Sequence, residues 1–113
     1  MKDLAPDIVR QRLVIEGIPI QPILSPEIID YLKKLSEAIG MTTLIEPVTH
    51  KSEQYGWAGW VHWDSSGAHF YAWERPLSFF SVDIYTCKVF DPQKAINFTK
   101  SYFGIKQLEY KQF

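Results

Sequence analysis

The chain has 113 residues, a net charge of −1, 46% hydrophobic and 15% aromatic residues, and one cysteine. That length suits a single domain over residues 1–113, able to bury roughly two-thirds of its unfolded surface without metals or disulfides. The near-neutral balance excludes the electrostatic footprint of a nucleic-acid or membrane-surface binder, and one thiol excludes an internal disulfide. No apolar run approaches the roughly 18 residues of a membrane span and no signal pattern opens the chain, so the expectation is a cytoplasmic protein with no membrane or nucleic-acid partner.

In chain order, residues 1–6 show no pattern, and Ile8–Ile18 alternates as a strand with Val9, Leu13 and Ile15 as its apolar positions until Pro19 and Pro22 break the run. A helix follows, with Ser25 expected as N-cap, Pro26 at the first position and Gly40 just past the end. Its stripe of Ile28, Ile29, Leu32, Leu35 and Ile39 is core, with Asp30, Lys33, Lys34 and Glu37 facing out. Met41–Val48 reads as a strand in which Pro47 implies an edge or a bulge, and the polar segment 49–54 reads as a loop.

Residues 55–87 hold all four tryptophans, two of the three histidines and the cysteine. Turn chemistry at Asp64-Ser65-Ser66-Gly67 and at Glu74-Arg75-Pro76 divides them into runs 57–64, 67–74 and 79–87, a three-stranded meander. A second helix starts at Asp91-Pro92 and stops at Gly104, and Ile105–Phe113 closes the chain as a strand. The order β-α-β-β-β-β-α-β predicts an α+β, two-layer sandwich: a mostly antiparallel sheet with both helices on one face.

Side chains alternate across a strand, so the meander sorts into two faces. With Ser65-Ser66 as the hairpin loop, His62 stands opposite His69. One face then collects Trp60, His62, His69, Tyr71 and Trp73, joined by Ser81, Asp83, Tyr85 and Cys87, while Val61, Trp63, Ala68, Phe70 and Ala72 are core. The first set reads either as a working surface or as a half-solvated sheet with ordinary aromatic pairs. Two apolar-rich sheet faces exceed what one helical layer covers, which points to a homodimer. A zinc site from His62 and His69 with Cys87 or Asp83 matches no ligand spacing pattern, so no metal is expected.

The succession of Tyr55-Gly56, Gly59, a serine at the hairpin turn, Trp73-Glu74 and then the run VDIYTC before Asp91-Pro92 resembles the bacterial and archaeal S-adenosylmethionine decarboxylase family. The likeness runs over Tyr55–Gly104. Members of that family cut their own chain at a serine, which becomes a pyruvoyl group. This group takes the substrate amine as a Schiff base and serves as electron sink for decarboxylation in spermidine synthesis. The resemblance implies that Ser66 is the pyruvoyl precursor, Cys87 the donor that returns a proton to the product carbon, and Glu74, within one position, the ribose contact. Trp73 falls on the family's tryptophan and Asp83 on its aspartate, and with Tyr71 they complete the implied ligand surface. Three positions depart: Ser65 stands where the family has glutamate, Ala58 replaces its processing serine, and Tyr71 replaces its processing histidine. His69 has the same strand parity as Tyr71 and is the expected substitute. The other reading is an unprocessed, inactive homologue that binds an adenosyl-type ligand or a partner subunit.

Overall fold

Alternation along six strands leaves one sheet face apolar enough to need covering, and the two amphipathic helices supply the cover. The computed structural model describes residues 2–113. Its elements are β1 (Gln11–Pro19), α1 (Ser25–Ala38), β2 (Thr43–Ser52), β3 (Gly56–Trp63), β4 (Ser66–Trp73), β5 (Phe79–Thr86), α2 (Pro92–Tyr102) and β6 (Ile105–Gln112). They form one sheet in the order β2-β3-β4-β5-β1-β6 with every pairing antiparallel, so the expected α+β sandwich is what the chain adopts.

Leu13, Ile15, Val61, Trp63, Ala68, Phe70, Phe80, Val82 and Ile84 point into the interface with the helices and are buried. From the other side come Ile28, Leu32 and Leu35 of α1 and Ala95 and Ile96 of α2. Tyr31, fully buried between the layers, packs at a tilt with its ring centroid 5.2 Å from that of Phe70 and 5.0 Å from that of Phe103. Its hydroxyl donates to Thr99 Oγ1 (2.8 Å), which in turn donates to the Ala95 carbonyl (2.8 Å). The Trp63 indole N–H is likewise satisfied, by Ser36 Oγ at 2.7 Å.

Several boundaries differ from expectation for identifiable reasons. β1 begins at Gln11, not Ile8: residues 3–10 are held locally, with Arg10 bonded to Asp3 and to the Ile8 and Ala5 carbonyls, and Val9 is exposed. Ser25 is not the N-cap of α1. Leu24 holds that position, and Ser25 bonds Thr49 Oγ1 of β2 instead (2.7 Å). Asp30 faces α2, accepting from Tyr102. β2 runs on to Ser52, through most of the segment read as loop, because Thr49–Ser52 pairs with Gly59–Gly56. It is an edge strand with register shifts around Pro47, as that proline implied.

Candidate functional site

The hairpin between β3 and β4 places the serine. Trp63 pairs with Ser66, so the two-residue loop is Asp64-Ser65 and not Ser65-Ser66. This corrects the expected facing of the histidines: His62 lies opposite Gly67, and His69 opposite Trp60. The displacement conserves strand parity, so the sorting into two faces stands.

Gly67 explains the shift. A Cβ there would lie 2.4 Å from the Val61 carbonyl oxygen, so β3 and β4 approach as closely as they do only because that residue is glycine. The positive φ of this turn falls instead on Ser66, at +135°. A non-glycine residue in that region carries strain of about 1–3 kcal/mol, held by the surrounding structure.

What holds it is visible in the next strand. The Cys87 N–H donates to the Ser65 carbonyl oxygen at 2.8 Å, and Cys87 Sγ lies 3.2 Å from the same oxygen. Ser66 Oγ is 3.9 Å from Cys87 Sγ, and the thiol is exposed. Thr86, buried beside them, bonds both the N–H (3.0 Å) and the carbonyl of Lys88 and so fixes the turn that follows Cys87. The carbonyl of the Ser65–Ser66 peptide therefore has two donors, and the hydroxyl of Ser66 stands beside one of them.

The sheet face away from the helices is uncovered. Its register sets Val48, Trp60, His69, Asp83, Val14 and Lys111 in one transverse row. The neighbouring row holds His62, Gly67, Tyr85 and Arg12. A hollow of about 470 Å³ lies over these two rows, lined among others by Ser66, His62, His69, Trp60, Asp83 and Arg12. The Arg12 guanidinium grips the Asp83 carboxylate through Nε (3.0 Å) and Nη2 (2.8 Å), which holds Arg12 charged beyond its ordinary value, and the Phe113 ring lies 4.7 Å from it. Sequence reasoning missed Arg12, since its partner is 71 residues away and no local word announces the pair.

Tyr71 and Trp73 lie along the same face beyond His69, in a second hollow of about 350 Å³ with Tyr55, Trp57, Ala58 and His50. Ala58 and Tyr71 are direct cross-strand partners. Tyr71, Trp73 and Phe79 form a continuous aromatic row with ring separations of 5.6 and 5.2 Å. Glu74 follows the end of β4, where its N–H bonds the Tyr55 carbonyl (2.7 Å), and lines neither hollow. The structure thus brings Ser66 and Cys87 together and sets His69 and Asp83 in the hollow that Ser66 also lines, while Tyr71 and Trp73 line the second hollow, with the Tyr71 ring 6.2 Å from that of His69. Among the described residues no three His, Cys, Asp or Glu side chains converge as a metal site, and no helix is long and apolar enough to cross a membrane.

A model of the S-adenosylmethionine decarboxylase family matches residues 21–113. The S-adenosylmethionine decarboxylase proenzymes of two Clostridium botulinum type A strains are 31% identical to this chain over 86 residues, 75% of it and 72% of their own length. The fold is similar to the crystal structure of the adenosylmethionine decarboxylase from Aquifex aeolicus VF5, with a TM-score of 0.75 at 15% identity, covering 94% of this chain and 89% of that one. The sheet order, the helices on one face and the motif run from Tyr55 to Cys87 are accounted for together: this chain belongs to the S-adenosylmethionine decarboxylase family.

Proposed function

We propose that this protein is a self-processing, pyruvoyl-dependent decarboxylase of S-adenosylmethionine, serving spermidine synthesis in the cytoplasm. The observation that carries the reading is the convergence of Cys87 N–H and Sγ on the Ser65 carbonyl oxygen beside a strained Ser66. Donors aimed at a carbonyl stabilise the oxyanion that forms when a nucleophile adds to it. In the first step Ser66 Oγ adds to the Ser65 carbonyl carbon, the Ser65–Ser66 C–N bond breaks, and the hydroxyl proton passes to the freed amine, leaving an ester. Loss of the Ser66 Cα proton then expels the Ser65 carboxylate and leaves dehydroalanine. Its imine tautomer takes up water and releases ammonia, which leaves a pyruvoyl group at position 66. An imidazole of the hollow, His69 on the sequence reading, relays the protons; a positioned base contributes about 10²–10⁴-fold to such a step.

The site fits the group it would carry, since Ser66 opens into a hollow large enough for a small substrate and Cys87 stands beside it. The pyruvoyl carbonyl supplies an electrophile for the substrate amine and a sink for the electron pair left by carbon dioxide. Cys87 then returns a proton to the product carbon. Asp83, held by Arg12, offers a polar contact in the hollow over Ser66, while the adenine platform of Trp73 and Tyr71 and the ribose contact of Glu74, which the resemblance implies, serve the serine of a second copy.

The uncovered face supports a homodimer. Trp60, Tyr71, Trp73 and Tyr85 leave substantial apolar surface on one side of the sheet. Tyr71 stands five strand positions from Ser66, roughly 17 Å, so a side chain at that position reaches the serine only from a second copy.

One observation favours the rival reading, an unprocessed homologue that binds an adenosyl-type ligand or partner. Ala58 and Tyr71 face each other across β3 and β4 and bring no acid–base pair to the family's processing positions. The intact mass of the purified, denatured protein decides. Cleavage gives residues 1–65 and a C-terminal piece blocked by pyruvoyl; a single full-length mass after long incubation sinks the processing proposal.

A further inference from the structure

We propose that His62, and not His69, is the imidazole that moves the Ser66 proton during self-cleavage. This rests on the processing reading above. His62 is the cross-strand partner of Gly67, the residue next to Ser66, and partners in an antiparallel pair have Cα atoms about 4.5–5.5 Å apart. His69 is three strand positions from Ser66, roughly 10 Å. Gly67 presents no side chain, and a Cβ there would lie 3.5 Å from the His62 Cα. His62 is exposed and lines the same hollow as Ser66.

The charged and titratable groups sharing this hollow are His69 on β4, Asp83 and Tyr85 on β5 and Arg12 on β1, with Glu46 on β2 next to Ile45, the register partner of His62. Asp83 is bound bidentately by Arg12, so both its carboxylate oxygens are engaged by the guanidinium and not by an imidazole. In the cleavage step the neutral ring accepts the hydroxyl proton as the Oγ–C bond forms. It returns that proton to the Ser66 nitrogen as the C–N bond breaks, and ends unchanged. A histidine in this place supplies the proton transfer that Ala58 and Tyr71 cannot.

Two measurements test the assignment. The first needs no cleavage: full-length Ser66→Asp puts a carboxylate at the scissile position, and each histidine ring is titrated by NMR against Ser66→Ala. The His62 midpoint rises by about one unit and that of His69 by less than half as much, since an opposite charge acts chiefly within about 4–6 Å. An equal or larger shift at His69 overturns the inference whether or not the chain cleaves. The second compares cleavage by intact mass in the unsubstituted chain, His62→Gln and His69→Gln. The expected result is a rate loss of about 100-fold or more for His62→Gln, recovered in part by added imidazole in His62→Ala, and a change within about threefold for His69→Gln. Cleavage of His62→Gln at the unsubstituted rate overturns the inference alone. No cleavage of the unsubstituted chain overturns the processing reading and removes this role with it, even where the titration has confirmed the proximity.

Discussion

Replacing Ser66 by glycine and by alanine separates backbone strain from chemistry, because neither variant has a hydroxyl with which to cleave. Alanine keeps the Cβ that makes φ +135° costly, whereas glycine occupies that region freely. The strain is about 1–3 kcal/mol, and glycine gives back about 0.5–1 kcal/mol through the extra freedom of its unfolded chain. Ser66→Gly is therefore expected to be more stable than Ser66→Ala by about 0.5–2 kcal/mol, a rise in thermal midpoint of roughly 2–10 °C for a chain of this size. Urea unfolding of both variants, followed by tryptophan fluorescence, measures the difference directly. The surroundings give no easy way to relax: the Trp63–Ser66 pairing fixes one side, and the Cys87 N–H bond to the Ser65 carbonyl fixes the other. If Ser66→Gly is no more stable than Ser66→Ala, residue 66 is not strained. The argument that the fold stores strain at this peptide then fails.

Two further outcomes test the packing that positions the site. Thr99→Val leaves the buried Tyr31 hydroxyl without its acceptor and is expected to cost about 1–3 kcal/mol, while the double variant with Tyr31→Phe recovers at least about 1 kcal/mol, because no buried donor is then left unmade. A double variant less stable than Thr99→Val in urea contradicts this. Asp30 is held below its ordinary value of 3.8 first by the Tyr102 hydroxyl and then by Lys34. A depressed carboxylate contributes stability that is present above its unfolded value and lost as pH falls through the folded one. The stability gap between the unsubstituted protein and Tyr102→Phe should accordingly be full near pH 6 and shrink below about pH 3.8, and a gap that widens on acidification refutes the assignment.

The fold was legible because its signals are periodic. The stripe on α1, the Asp91-Pro92 start of α2 and the parity of the meander each follow from side-chain spacing, and each is where it was expected except that Ile29 of the stripe is only half-buried. The hairpin register was not, since four consecutive turn-forming residues allow three different two-residue loops. Gly67 looks like the flexible member of that turn, yet it is a strand residue chosen for close backbone approach, while Ser66 takes the unusual φ. The Arg12–Asp83 pair and the placing of His62 opposite Gly67 are products of topology: the first exists only once β1 lies beside β5, the second only once the hairpin register is set. The extension of β2 escaped notice for a related reason, because an edge strand over glycines need not look apolar.

The register also changes what the departures from the family mean. Within one chain Ala58 and Tyr71 belong to the second hollow, paired with each other and remote from Ser66 along the strand. Their replacement by an alanine and an aromatic ring extends the Tyr71–Trp73–Phe79 row into a surface with more to offer a planar ligand than a proton. The hollow over Ser66 keeps two imidazoles and an ion pair. Both hollows carry aromatic rings and imidazoles, Trp60, Tyr85, His62 and His69 in the one and Tyr71, Trp73 and His50 in the other, and the His69–Tyr71 contact joins them. On the proposal above, it is His62 of the same chain, and not a histidine at position 71, that takes the proton from Ser66.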